Sequence, residues 1–225
     1  GANTHVDFKI ETEPLKGRAL SIKVDGLLGG HSGMEIIKQR ANAIKLLGRI
    51  LSAVKAEQSV HIVSTSGGSK HNAIAKEAQA IITVEDAARA QAAIAKLAEA
   101  IRAEYRVADK DIRIAVEPAT ALPKMMYNGT VSCGIIDFMT MVPDGVQYMS
   151  MDIPGLVQTS LNNGILAAAG ETLTFTISVR SSVKSELDEI VQILQLCAER
   201  TGGIFNKVSE YPAWEYSPQS RARDA

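Results

Sequence analysis

Residues 24–36 read VDGLLGGHSGMEI: a strand end, four glycines around His31, then an apolar run. Glycine loops between a strand and a helix often turn backbone N–H groups toward phosphates. A Walker loop ends in Gly-Lys-Ser/Thr so that the lysine reaches the anion, but this one ends His31-Ser32-Gly33. A dinucleotide loop needs a parallel βαβ unit with an acidic residue about twenty positions on. Here the region that follows reads as antiparallel, and Glu57 falls at a helix end. The glycines are therefore read as presenting an imidazole. Beside a helix start, a histidine can donate to an oxygen that gains charge during a reaction. In isolation, a histidine in a glycine turn more often bonds only its own loop.

Arg180 is the second candidate. Leu173, Phe175, Ile177 and Val179 alternate with Thr174, Thr176, Ser178 and Arg180, so the guanidinium sits on the polar face of a strand. There it can clamp a carboxylate through two parallel hydrogen bonds, or simply be solvated. Asn72 and Asn162 are read as turn residues beside apolar strands. His5-Val6-Asp7 has the His-x-Asp form of some zinc sites, but hydrolytic zinc needs at least three ligands. His31, His61 and His71 supply no further cluster. No Gly-x-Ser-x-Gly elbow is present. Cys133 and Cys197 lie far apart and read as reduced core thiols.

The elements that must hold these groups follow from periodicity. Val6, Phe8 and Ile10 mark a strand, as do Leu20, Ile22 and Val24. Ile37, Ile44, Leu47, Leu51 and Val54 mark a helix, with Ser32 and Glu35 at capping-box spacing before it. Strands near 59–65 and 73–84, a helix carrying Ile94, Leu97 and Ile101, and a strand at Ile112–Val116 complete a unit. From residue 18 this is β-α-β-β-α-β, the ferredoxin-like pattern, with an antiparallel sheet and helices on one face. After EPATALPKMMYNG come a helix near 130–141, strands near 146–152, 157–168 and 171–181, a helix from Val183 to Cys197, and a strand in IFNKVSEYP. SKHNAIAKEAQAIITV and LNNGILAAAGETLTFTISV echo one another, so the second unit reads as a near copy of the first. The expected organisation is α+β: a first ferredoxin-like subdomain at 1–118, a linker at 119–128, a second subdomain at 129–216 and a tail at 217–225.

Composition restricts the partners. With 46% hydrophobic and 22% charged residues, the chain can build a substantial core. A net charge of −1 argues against nucleic acid or an anionic membrane as the main partner. No apolar run is long enough for a membrane span. The first residues lead straight into strand-like sequence, as though cut from a longer chain.

GLLGGHSGMEI followed by RANAIKLLGRIL resembles the aminoacyl-histidine dipeptidases, zinc exopeptidases related to carnosinases and carboxypeptidase G. Asn42, Ala43, Leu46 and Leu47 match the family's Asn-Ala-x-x-Leu-Leu helix. HNAIAKEA, QTSLNNG, ISVRSS and YPAW resemble further family motifs in the same order. His71 stands where the family pattern has arginine and Ala75 where it has proline, which implies a looser turn around Asn72. The resemblance implies a lid domain inserted in a cytoplasmic enzyme that holds two zinc ions, with no metal ligand in this chain. It also implies that His31 steadies the substrate carbonyl and that Arg180, with Asn72 and Asn162 near it, binds the dipeptide's carboxylate. The implied partners are a catalytic domain of the same polypeptide, absent from this sequence, and a dipeptide ending in histidine. Either a homodimer or a monomer is compatible, and the chain alone is expected to be inactive. The competing reading is a stand-alone ferredoxin-like binding or oligomerisation module.

Overall fold

The computed structural model describes residues 1–120 and 122–212. Alternation gives β1 (Ala2–Lys9), which buries Ala2, Thr4, Val6 and Phe8 on one face and leaves Asn3, His5 and Asp7 on the other. Next come β2 (Thr12–Pro14), β3 (Arg18–Asp25), β4 (Gly30–His31), α1 (Ala43–Glu57), β5 (Val60–Gly67), β6 (Ala73–Ile74) and β7 (Ala78–Val84). They are followed by α2 (Ala87–Glu104), β8 (Arg113–Pro118), β9 (Met125–Tyr127), α3 (Gly129–Met141) and β10 (Gly145–Met149). The series ends with β11 (Val157–Ala169), β12 (Thr172–Ser181), α4 (Lys184–Thr201) and β13 (Ile204–Glu210).

The expected α+β class holds. One antiparallel sheet runs β13-β1-β12-β11-β5-β7-β3-β8, with β10 added beside β11. The helices pack side by side in the order α2, α1, α3, α4. Their apolar stripes and the sheet's inner face form one continuous core, which includes the edge-to-face trio Phe8, Phe138 and Phe175. The series β5-β7-β3-β8 and β11-β12-β1-β13 repeat one pairing order and meet at a short seam, Leu166 opposite Gly67.

Three local expectations are corrected. Strand β1, grouped by sequence with 1–118, lies between β12 and β13 and pairs with both. The β3-to-β8 stretch already contains a complete β-α-β-β-α-β set, so β1 supplies the strand that the second half lacks. The presumed linker contains β9, which pairs with β2. The helix does not start at Ser32: one 3-10 turn at Ile36–Lys38 ends at Gln39 with φ 50, and α1 begins at Ala43. The Asn42 carboxamide oxygen caps it, accepting from the N–H groups of Ile44 at 3.0 Å and Lys45 at 3.4 Å. Glu35 is drawn instead to the His31 N–H at 3.1 Å and the Lys38 ammonium at 2.8 Å.

Candidate substrate site

His31 sits on β4, which pairs with β6 so that Gly30 lies opposite Ile74 and His31 opposite Ala73. Gly30 has φ +139, and a Cβ there would lie 2.6 Å from Glu35 Oε2, so the loop requires glycine at this position. The imidazole orientation is set locally. Nδ1 accepts hydrogen bonds from the N–H groups of Gly33 at 3.1 Å and Met34 at 3.2 Å. A ring nitrogen that accepts two donors is unprotonated, so the neutral ring carries its proton on Nε2. Among the described residues, Nε2 has no hydrogen-bond partner. Glu35 braces the loop from within: bonds from Lys38 and then from the His31 N–H hold its carboxyl down at about 2. Arg40 bonds both the Gly29 carbonyl and Glu35.

Arg180 comes from β12 and faces the same spot. A Cβ placed on Gly33 would lie 3.1 Å from His31 Cε1, 3.2 Å from Arg180 Cζ and 3.3 Å from Arg180 Nε. One methyl group there would touch both side chains, so the fold brings His31 and Arg180 together. Arg180 Nε is buried and has no hydrogen-bond partner among the described residues.

Asn72 lies beside His31, its carbonyl accepting from the Ser32 N–H at 2.9 Å, while its half-buried side chain makes no hydrogen bond among the described residues. The turn that carries it is closely held, despite His71 and Ala75. Asn162 Nδ2 donates to the carbonyls of His71 at 3.1 Å and Ala73 at 2.9 Å, and Ser178 Oγ donates to His71 O at 3.1 Å. The turn presses on β11 where Gly164 has no side chain: a Cβ there would stand 2.7 Å from His71 O.

Asn162 is therefore misplaced by the sequence reading, because it lies within β11 rather than in a turn and is 1% exposed. Behind it, Asn42 Nδ2 donates to Asn162 Oδ1 at 3.4 Å, Asn163 O at 2.9 Å and Asp144 Oδ1 at 3.1 Å. Desolvation pushes the Asp144 carboxyl up to about 6, against the bonds from Asn163 and Asn42 and the attraction of Lys45. Asp144, Ser178 and the bracing role of Glu35 had no signal in the sequence, because each depends on contacts across the fold.

The other candidates are placed elsewhere. Asp7 accepts from Thr174 Oγ1 at 2.6 Å and Asn206 Nδ2 at 3.0 Å, while His5 lies between Thr176 and Asn206. His61 Nε2 stands 3.2 Å from Glu13. Both cysteines are free, Cys133 half-buried and Cys197 buried. Among the described residues, no three His, Cys, Asp or Glu side chains gather as a metal site. No described helix is long and apolar enough to cross a membrane. Ala213 and Trp214 of the YPAW motif, and the tail at 217–225, lie outside the described residues.

Residues 22–109 match the peptidase dimerisation domain family. The chain is 27% identical to the cytosol non-specific dipeptidase of Escherichia coli, over 95% of its own length and 44% of that protein. It superposes on the aminoacylhistidine dipeptidase of Vibrio alginolyticus with a TM-score of 0.92 and 26% identity, covering 99% of this chain and 46% of the other. The chain thus spans less than half the length of the dipeptidases it matches. The likeness first read at GLLGGHSGMEI extends along the chain: residues 22–109 match the peptidase dimerisation domain, and the chain has the fold of a segment of the Vibrio alginolyticus aminoacylhistidine dipeptidase.

Proposed function

We propose that this chain is the substrate-capping lid of a cytoplasmic zinc dipeptidase acting on Xaa-His dipeptides, with its hydrolytic residues on a catalytic domain of the same polypeptide. The observation that carries this reading is the Arg180 guanidinium, whose buried Nε–H lacks an acceptor directly beside His31. A buried donor without a partner is costly, and a carboxylate is the acceptor that matches a guanidinium's geometry. The free C-terminus of a dipeptide supplies that carboxylate. His31, held as the Nε2–H tautomer, then donates to the carbonyl oxygen of the scissile bond as negative charge builds there. A clamp at a fixed distance from this donor measures out a short substrate. Asn72 offers its unpaired carboxamide to the same ligand, and Asn162 acts one step back by holding the Asn72 turn. His31 and Asn72 come from one ferredoxin-like unit and Arg180 and Asn162 from the other, so the site spans the seam.

The test uses the longer polypeptide that contains this chain. His31→Ala is expected to lower turnover by about 10²–10³ without loss of metal. Arg180→Ala should raise KM for a dipeptide with a free C-terminus and leave that of its C-terminal amide unchanged. Equal loss of metal and turnover in His31→Ala, or equal effects of Arg180→Ala on both substrates, refutes these roles. The present chain with added zinc should hydrolyse no dipeptide, and measurable cleavage would refute the division of labour. A second reading, a pairing module, draws on the dimerisation-domain match. A homodimer would have to form away from the β5–β11 seam, which is already paired within the chain.

A further inference from the structure

Asp109 lies in the connection between α2 and β8, within the charged stretch RVADKD, yet it is 1% exposed. Its two carboxylate oxygens meet two separate partners. Oδ1 accepts from the Leu28 N–H at 2.7 Å, and Oδ2 accepts from the Ala41 N–H at 2.7 Å. Leu28 and Ala41 are the two ends of the loop that carries His31, Glu35 and Arg40. One buried carboxylate therefore closes the loop at its base, while Glu35 braces it from inside. Short charge-assisted bonds to backbone donors are strong and directional. Fixing both ends also removes most of the loop's conformational freedom.

We propose that Asp109 is a positioning residue for His31, a clasp that holds the imidazole beside Arg180 without touching the substrate. The clasp rests on the reading of His31 as the donor to the substrate carbonyl only for its catalytic consequence; its effect on the loop stands independently. Asparagine at 109 retains one acceptor oxygen and turns an N–H₂ toward the other backbone donor, so one end of the loop is released. A small displacement of a reacting group can cost about 10² in rate.

Two measurements on the present chain test the clasp. In the wild type, amide hydrogen exchange at Leu28 and Ala41 should be as slow as at paired residues of β3 and β7. Exchange as fast as at an unbonded surface amide would overturn the proposal without any variant. In Asp109→Asn, the amide at the released end, Leu28 or Ala41, should exchange at least about tenfold faster. The ¹⁵N resonances of the His31 ring should also move from the Nε2–H tautomer pattern toward an average of the two tautomers. Asp111→Asn, at an exposed neighbouring carboxylate, should do neither. Unchanged exchange and unchanged ring resonances in Asp109→Asn refute the clasp. In the longer polypeptide, Asp109→Asn should lower kcat by about 10² with KM altered less than about twofold, and Asp109→Glu, which keeps both acceptors, should recover part of that loss. A loss confined to KM, or no recovery by glutamate, counts against positioning. If Asp109→Asn frees the loop while His31→Ala leaves turnover intact, the clasp stands and the catalytic reading of His31 falls.

Discussion

Replacing Asp144 with asparagine should make this protein more stable at neutral pH and remove part of its pH dependence. Asp144 Oδ1 accepts from Asn163 N at 3.1 Å, Asn163 Nδ2 at 2.9 Å and Asn42 Nδ2 at 3.1 Å. An asparagine carbonyl can keep those three bonds. The charge is the costly part: burial lifts the carboxyl from 3.8 to about 6. That displacement corresponds to about 3 kcal/mol of preference for the protonated form in the folded protein. In the unfolded chain Asp144 loses its proton near 3.8 and in the folded chain near 6. Between those values the folded state binds more protons, so its contribution to stability is full below the lower value and is lost as pH rises through the upper one. Asparagine does not titrate. Because Lys45 loses a favourable neighbour, the net gain at pH 7 should be about 1–3 kcal/mol. Urea unfolding of both proteins at intervals from pH 4 to pH 7.5 measures it, other titrating groups cancelling in the difference. The two stability curves should diverge as pH rises and run parallel above pH 7. Curves parallel throughout, or an asparagine variant that loses ground as pH rises, would refute the assignment of a desolvated, costly charge to the half-buried Asp144.

Two further substitutions probe the supports around the site. Asn162→Leu removes a donor from the Ala73 carbonyl and leaves the His71 carbonyl with Ser178 Oγ, and should cost about 1–3 kcal/mol, read by thermal unfolding, with faster amide exchange in residues 70–74. Lys45 reaches from α1 to the carbonyls of Met139 at 3.1 Å, Thr140 at 2.7 Å and Val142 at 2.6 Å at the end of α3. Lys45→Met should cost about 2–3 kcal/mol, read by urea unfolding; an unchanged midpoint would show that water serves those carbonyls equally well.

The chain's alternating and helical patterns were enough to locate most elements and to predict the α+β class, because side-chain periodicity is a local property. The glycines around His31 likewise marked a loop of irregular backbone, since positive φ at Gly26, Gly29 and Gly30 leaves its mark on composition. Partner choice was not local. Nothing in the alternation of Val6 and Phe8 says that β1 lies between β12 and β13, since an amphipathic strand fits any sheet with a free edge and a matching face. Capping-box spacing at Ser32 and Glu35 looked like a helix start, yet Glu35 found better donors once the loop had folded back. The sequence singled out His31 and Arg180 separately, some 150 positions apart. Only the fold places both against Gly33. Asn162 as an internal support, Asp144 as a half-buried, desolvated charge and Asp109 as a clasp are equally invisible in the chain, because a polar residue declares its role only through the groups that surround it after folding.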